Sequence, residues 1–129
     1  MSTSCRIARK DSSGTYESIY CHHDGYPSYT FNLLNTYYNN DVRVAELIDF
    51  GDASSVQEKL HPNKKHTFDD PQDGVCIFYH RDRGEPWYDF APLRGESKES
   101  LLGAWVDFVY IFEDGVWTCY SDGKEVYVA

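Results

Sequence analysis

Two polar, aromatic segments hold the residue types that could do chemistry in this chain. The first, YCHHDGYPSY at 20–29, combines two imidazoles, a thiol and a carboxylate with three tyrosines. The second, YHRDRGE at 79–85, combines an imidazole, two guanidinium groups and two carboxylates. Each follows a run typical of a β-strand, so we expect both segments to be loops at strand ends. If the two loops lie on one rim, their side chains form a single polar site with aromatic walls.

The candidate ligand- or partner-binding residues are those whose side chains bind charged or flat groups. They are Tyr20, His22, Asp24, Tyr26, His80, Arg81, Asp82, Arg83 and Trp87. Guanidinium groups recognise phosphate or carboxylate by paired hydrogen bonds, and aromatic rings can stack on a flat group. The set therefore suits a nucleotide-like small molecule. The same charges also suit a structural cluster in which Arg81 and Arg83 pair with nearby carboxylates and fasten the two loops together.

Catalytic interpretations use the same residues. His22, His80, Asp24 and Asp82 offer two imidazoles and two carboxylates, which is an adequate ligand set for zinc, iron or manganese in a hydrolase. Neither an HxH nor an HExxH spacing is present. Cys21 beside His22, or His80 with Asp82, contains the groups of an activated thiol or a general base. Because geometry rather than adjacency makes such a pair work, we predict no catalytic residue, no metal and no cofactor.

Composition narrows the functional class. The chain has 129 residues, 41% of them hydrophobic and 16% aromatic, which favours one folded domain. Its net charge of −9 disfavours direct binding to nucleic acid, because phosphate binders need a basic surface. The four cysteines form no CxxC motif, and the chain has neither a signal peptide nor a membrane-spanning apolar segment. We therefore expect a cytoplasmic protein with reduced thiols and no membrane contact.

The residue pattern predicts an α+β fold. In chain order it predicts strands at 5–9 and 15–21, helices at 29–38 and 42–50, a segment of little apolar periodicity at 52–73 with a charged surface loop at 64–74, a strand at 75–79, a long loop at 81–94, a short helix at 96–104, and strands at 105–112, 116–120 and 125–128. Two Asp-Gly turns join the last three strands into a meander. We expect a mostly antiparallel sheet of five or six strands, with a helical hairpin and a short helix on one face.

Three further expectations concern single positions. Asp41 should cap the second helix, and Gly51 should end it. Val56 and Leu60 should continue a short helical turn that ends at His61-Pro62, before the surface loop. The continuous apolar run at 75–79 should be a central strand buried on both faces.

The two motifs resemble those of a family of small bacteriophage and mobile-element proteins. The similarity includes the 20–29 and 79–85 segments, the Leu33-Leu34 helix and the Leu47-Ile48 helix that leads into Gly51-Asp52. It spans roughly residues 5 to 90, and in the family the position of His23 is aromatic. The family has no established activity, so the resemblance implies a context: small acidic phage proteins that act on host machinery, including defence systems.

We therefore expect a non-enzymatic phage-type accessory protein that binds and inhibits a host protein, such as an anti-CRISPR-like or other anti-defence protein in the host cytoplasm. Acidic loops and exposed aromatic residues would form the interface. A protein that binds or sequesters a nucleotide-like ligand through the 20–29 and 79–85 loops is the first alternative. A metal-dependent hydrolase is the second. A homodimer through a sheet edge or an aromatic face is compatible with either binding role.

Overall fold

One mixed sheet of eight strands organises the chain. The computed structural model describes residues 2–129. The strands are β1 (Cys5–Lys10), β2 (Tyr16–Cys21), β3 (Ala53–Ser55), β4 (Ile77–Phe78), β5 (Leu93–Glu96), β6 (Phe108–Glu113), β7 (Val116–Ser121) and β8 (Lys124–Val128). The helices are α1 (Pro27–Tyr37), α2 (Asp41–Asp49), α3 (Tyr79–Arg83), α4 (Trp87–Phe90) and α5 (Lys98–Leu102). The strand order is β4-β3-β2-β1-β6-β7-β8, with β5 beside β2.

The sheet is mostly antiparallel, which confirms the α+β prediction. Two pairs are parallel: β1 with β6, and β2 with β3. Because β1 lies between β2 and β6, it joins the opening hairpin to the C-terminal meander. The eight strands exceed the expected five or six because the short strands β3 and β5 gave no recognisable pattern in the sequence.

The two faces of the sheet are covered differently. Residues such as Ile7 and Tyr110 point to one face and pack under the α1–α2 hairpin in the larger core cluster. Ala8 and Ile111 point to the other face and pack with Leu101 of α5 in a smaller cluster. This alternation follows from the two-residue period of a strand. The short helix α5 therefore lies on the face opposite the helical hairpin.

Both Asp-Gly turns form as the sequence predicts. Asp114 and Gly115 have φ values of 53° and 79°, and Asp122 and Gly123 have φ values of 55° and 78°. Two successive residues with positive φ give the backbone twist of a tight hairpin turn. The opening hairpin is also confirmed, with the Asp11 carboxylate accepting hydrogen bonds inside its turn.

The boundaries of the helical hairpin differ in detail from the prediction. Helix α1 begins at Pro27, whose fixed φ suits the first helical position. Asn40, not Asp41, caps α2: its side-chain oxygen accepts a hydrogen bond from the Arg43 amide at 2.9 Å. The Asp41 prediction was wrong because Asn40 has the extended backbone of a cap and Asp41 is already helical. Gly51 follows the helix at φ 83°, as expected.

The region from 52 to 79 departs most from the prediction. The segment of little periodicity at 52–73 contains β3, and both Val56 and Leu60 are buried in the main core without forming a helical turn. The expected central strand is only two residues long, and it lies at the edge of the sheet. The apolar run is buried for another reason: Cys76 lies against the 56–60 segment, its amide donating to the Lys59 carbonyl at 2.8 Å.

The remaining corrections concern the segment before β6. The expected loop at 81–94 contains α3, α4 and the start of β5. Strand β6 begins at Phe108 instead of Trp105, because the Asp107 side chain and amide bond to Ser4 and bend the chain there. Helix α5 is shorter than expected, with Ser97 as its cap. No helix within residues 2–129 is long and apolar enough to cross a membrane.

Candidate functional site

The first candidate loop continues the sheet for two residues beyond β2. The amides of His22 and His23 donate to the carbonyls of Ala53 and Ser54 at 3.1 and 2.9 Å. The Tyr20 hydroxyl lies 2.7 Å from His22 Nδ1. Burial raises the pKa of Tyr20, so this phenol stays protonated at neutral pH. His22 is thus held against the sheet by its backbone and by its ring.

The second half of this loop is a structural connection to the core. The Tyr110 hydroxyl donates to the Gly25 carbonyl at 2.7 Å, and the Thr30 hydroxyl donates to the Asp24 carbonyl. A Cβ atom at Gly25 would lie only 2.9 Å from Cys5 Cβ, so only glycine fits there. The Asp24 side chain and the Tyr26 ring remain exposed beside this connection.

The second candidate segment is helix α3 and not a loop, and it leaves the sheet in a different direction. Strand β2 runs parallel to β3, whereas β4 runs antiparallel to it. The chain therefore leaves β2 and β4 in opposite directions, although the last residues of the two strands, Cys21 and Phe78, both pair with Ala53. Among residues 2–129, no hydrogen bond, ion pair or aromatic contact joins 22–26 to 80–85.

Asp52 is the link between the two candidate segments. Its carboxylate accepts a hydrogen bond from the Tyr20 amide at 2.9 Å, and its carbonyl accepts one from the Tyr79 amide at 3.2 Å. Burial raises the pKa of Asp52, against the opposing effect of the Tyr20 hydrogen bond. The two candidate segments are thus tied to one residue, Tyr20 through the Asp52 carboxylate and Tyr79 through the Asp52 main-chain carbonyl.

Arg81 and Asp82 fasten α3 to the core. Arg81 donates through Nε to Asp82 at 2.8 Å, and through its two terminal nitrogens to the carbonyls of Leu60 and Cys76. Asp82 also accepts the Phe78 amide at 2.8 Å, and its side chain is only 3% exposed. Each guanidinium nitrogen of Arg81 is therefore already bonded within the protein. The ion-pair account holds within this segment, although Asp24 takes no part in it.

His66 extends the same cluster. Its Nδ1 accepts the Gln72 amide at 2.9 Å, so Nε2 carries the proton that is donated to the Cys76 carbonyl at 3.1 Å. Asp82 lies 3.4 Å from the same nitrogen. These bonds pin the 61–73 segment to the end of β4.

The exposed side chains of α3 and α4 form one surface, which we call the α3–α4 face. It consists of His80, Arg83, Trp87 and Tyr88. His80 and Trp87 meet edge to face with ring centroids 5.2 Å apart, and His80 Nδ1 donates to the Glu85 carbonyl at 2.7 Å. Trp87 is 40% exposed and Tyr88 is 92% exposed. The α3–α4 face thus presents one indole, one phenol, one imidazole and one guanidinium group to solvent.

The base of the α3–α4 face is tightly packed. The Arg83 guanidinium lies 4.7 Å from the centroids of both Phe68 and Tyr79, and Tyr79 in turn packs on Phe90. Any side chain at Gly51 would collide with the Phe90 carbonyl and meet the Trp87 ring. The exposed residues therefore stand on a base that is fixed by aromatic packing and by a close backbone approach.

Sequence reasoning found three of the four residues of this face. His80, Arg83 and Trp87 were candidates, whereas Tyr88 was missed because the four-residue α4 is too short to show a period. Its one signal was the aromatic cluster WYDF between two prolines. Trp105, which has no cover at all in the loop before β6, was also missed because the pattern assigned it to a strand.

The catalytic alternatives gain no support from this geometry. Cys21 is buried and its thiol donates to the His23 carbonyl, so no thiol–imidazole pair forms there. Within residues 2–129 no group of three or more His, Cys, Asp or Glu side chains could hold a metal ion. Four surface cavities of 340 to 550 Å³ are lined by residues other than the nine candidates.

The nucleotide-binding alternative stays a prediction, and the geometry changes which residue would serve it. Arg81 is engaged in the core, so Arg83 is the candidate guanidinium that faces solvent, with 40% of its side chain exposed. Its position over Tyr79 would place a phosphate beside an aromatic ring. Loss of nucleotide binding in Arg83→Ala is the result that this alternative requires.

No family model, curated protein or solved structure matches the chain. The similarity to small phage proteins therefore stays a prediction that rests on the two motifs.

Proposed function

We propose that this chain is a non-enzymatic, phage-type accessory protein that binds and inhibits a protein of a host defence system through the α3–α4 face. The observation that carries the proposal is the exposure of Trp87 and Tyr88 together on a packed base. Aromatic and arginine side chains supply most of the binding energy at protein interfaces. A base that is already ordered reduces the entropy lost when the partner binds.

The charge of the chain supports a basic partner. The net charge is −9, and Asp89 and Glu85 lie beside the exposed aromatic residues. Opposite charges speed the encounter of two proteins and set their orientation. A defence nuclease presents a basic groove to its nucleic acid. An acidic protein with aromatic anchors is suited to occupy such a groove.

A plaque assay tests the proposal. The chain is expressed in bacteria that carry one nuclease-based defence system from a panel, and the cells are challenged with a phage that this system restricts. The wild-type chain should restore plaque formation for at least one system, and the Trp87→Ala/Tyr88→Ala variant should not. Tyr37→Ala is the control, since Tyr37 is an aromatic residue on α1 whose exposure of 43% is close to the 40% of Trp87.

Calorimetry with the purified nuclease gives the second measurement. Truncation of a hot-spot residue costs about 2 kcal/mol, so each single alanine variant on α4 should weaken binding about 30-fold. A wild-type chain that neither restores plaques nor binds any effector in the panel contradicts the function. Equal loss of binding in Tyr37→Ala contradicts the assignment of the surface.

A further inference from the structure

Two of the four cysteines lie directly opposite each other on neighbouring strands. Cys5 is the first residue of β1 and Cys21 is the last residue of β2, and the two are in register in the antiparallel pair. Residues that face each other in such a pair point to the same side of the sheet. Both side chains are buried in the larger core cluster, under the helical hairpin. The fold therefore places two thiols next to each other although they are far apart in the sequence.

The backbone spacing of this pair suits a disulfide. The amides of Tyr20 and His22 donate away from β1, so the Cys21 amide between them points towards Cys5. The Cα atoms of such a hydrogen-bonded pair lie about 5.5 Å apart, well within the range that disulfides span. Its Cβ atoms lie about 5 Å apart, and a disulfide needs about 4 Å. A bond between the two sulfur atoms would therefore pull the two strand ends together and would be strained.

We propose that Cys5 and Cys21 form a reversible disulfide when the chain is exposed to hydrogen peroxide. The Cys21 thiolate attacks one peroxide oxygen, which breaks the O–O bond and gives a sulfenic acid and hydroxide. The Cys5 sulfur then attacks the Cys21 sulfur, so that an S–S bond replaces the S–O bond. The two thiols lose two electrons and two protons, and the peroxide is reduced to two molecules of water.

The other two cysteines have no thiol opposite them. Cys119 is in register with Tyr110 on β6 and with Tyr127 on β8, and β6 separates it from β1. The Cys76 sulfur accepts the Gln57 amide at 3.2 Å, in a contact outside the strand pairs. The sheet therefore favours one pairing of the four cysteines.

The surroundings of Cys5 set the order and the rate of the two steps. The adjacent Cys21 thiol and burial raise the pKa of the Cys5 thiol, so this thiol stays protonated and the first attack falls to Cys21. Gly25 covers Cys5, and its amide donates to the Thr3 carbonyl at 2.8 Å. A segment next to a chain terminus opens more readily than the middle of a sheet. We therefore expect slow oxidation that is limited by the opening of this segment.

The cross-link would join the first residue of β1 to the start of the 22–26 loop. Because the bond holds these two strand ends together, the oxidised chain should open less often there. Amide hydrogen exchange at Gly25 should therefore be slower in the oxidised chain than in the reduced chain. Equal exchange rates in the two forms would contradict this closure.

Peptide mapping of the folded chain tests the pair. The wild-type chain is treated with hydrogen peroxide at neutral pH, alkylated without reduction and digested with trypsin. Peptide 1–6 should be found joined to peptide 11–43, and the free thiols should fall from four to two. Reduced glutathione should restore all four thiols, since a strained disulfide is reduced readily.

Variants of each cysteine identify the partners. Cys5→Ser and Cys21→Ser should not form the linked peptides, whereas the controls Cys76→Ser and Cys119→Ser should form them. Circular dichroism establishes that each variant is folded, and the wild-type map identifies the pair even where a variant does not fold.

Three results would overturn the proposal. They are a folded wild-type chain that keeps four free thiols, a chain in which Cys76 or Cys119 is linked as often as Cys5, and a disulfide that glutathione does not reduce. The proposal is independent of the α3–α4 face, which lies on other elements.

Discussion

Arg81 and Asp82 act as a single unit within the fold. Together they bond to the backbone of Leu60, Cys76 and Phe78, and the Arg81 guanidinium also lies over two phenylalanine rings. If a buried carboxylate is replaced by an uncharged group, the positive charge of its ion-pair partner is left uncompensated inside the protein. The same two residues would look identical in sequence if they faced a ligand. Their role follows from the backbone carbonyls around them.

We predict that Asp82→Asn lowers the free energy of unfolding by about 3 kcal/mol, since it leaves Arg81 without its carboxylate partner. Urea denaturation measures the change. Glu85→Gln is the control: its ion pair with Arg83 is partly exposed to solvent, so its loss should cost less than about 1 kcal/mol. Equal losses in the two variants would contradict the assignment of Asp82 as the structural carboxylate.

The turn of the opening hairpin makes stability depend on pH. Hydrogen bonds from the Ser13 side chain, and then from Thr15, lower the pKa of Asp11 to about 2. The unfolded value is about 3.9, so the contribution of Asp11 is complete above about pH 4 and is lost as the pH falls toward 2. We expect Asp11→Asn to be less stable than wild type at pH 7, with a difference that shrinks between pH 4 and pH 2.

Urea titrations at a series of pH values measure this difference. Ser12→Ala in the same turn serves as the control and should keep the pH profile of the wild type. A destabilisation of Asp11→Asn that is constant from pH 7 to pH 2 would show that the carboxylate charge has no part in the turn.

At the level of elements, the cap of α2 makes a direct comparison possible. The uncharged Asn40 side chain accepts a hydrogen bond from the first turn of α2. The Asp41 side chain contributes only the attraction between its negative charge and the positive end of the helix dipole. We expect Asn40→Ala to cost about 1 kcal/mol and Asp41→Ala about 0.5 kcal/mol or less. Thermal denaturation of both variants measures the order. A larger loss of stability in Asp41→Ala than in Asn40→Ala would identify Asp41 as the cap instead.

The turn before β8 depends on a backbone conformation that glycine alone adopts freely. Gly123 has a φ of 78° and no atom within 4 Å of the Cβ position, so Gly123→Ala adds backbone strain without a clash. We expect a loss of about 1 to 2 kcal/mol. Gly103→Ala is the control, since Gly103 has a negative φ and ordinary contacts, and it should be neutral or slightly stabilising. Urea denaturation compares the two.

The elements found from sequence are the long and periodic ones. Strands β6 and β7 are six residues each and are joined by an Asp-Gly turn, so alternation and turn chemistry agree. Strands β3 and β4 have three and two residues, which is too few for a period to appear. The apolar run at 75–79 predicted a central strand, because a segment that is buried against a loop is as apolar as a strand that is buried in a sheet.

The candidate site was predictable only in its residue types. His80, Arg83 and Trp87 were found because aromatic and charged residues cluster there. The engagement of Arg81 was not predictable, because its acceptors are mainly main-chain carbonyls, which every residue has. The separation of 22–26 from 80–85 depends on strand direction, and the short β3 and β4 gave no signal of direction.

At the level of the whole molecule, the excess of acidic residues should oppose folding. Raising salt shortens the screening length from about 30 Å at 0.01 M to about 3 Å at 1 M. We therefore expect the free energy of unfolding to rise with sodium chloride at pH 7. The effect should disappear near pH 4.8, where the net charge is close to zero. A fall in stability with salt would mean that attractive ion pairs outweigh the repulsion.

The parallel pairing of β1 with β6 also affects how the chain is made. Strand β1 can pair with β6 only after residues 108–113 have been synthesised, so the middle of the sheet cannot form until β6 has left the ribosome. Until then, one edge of the first hairpin lacks its partner strand and is exposed to solvent. Nascent-chain arrest at successive lengths should reveal protease resistance only after Glu113 has left the exit tunnel.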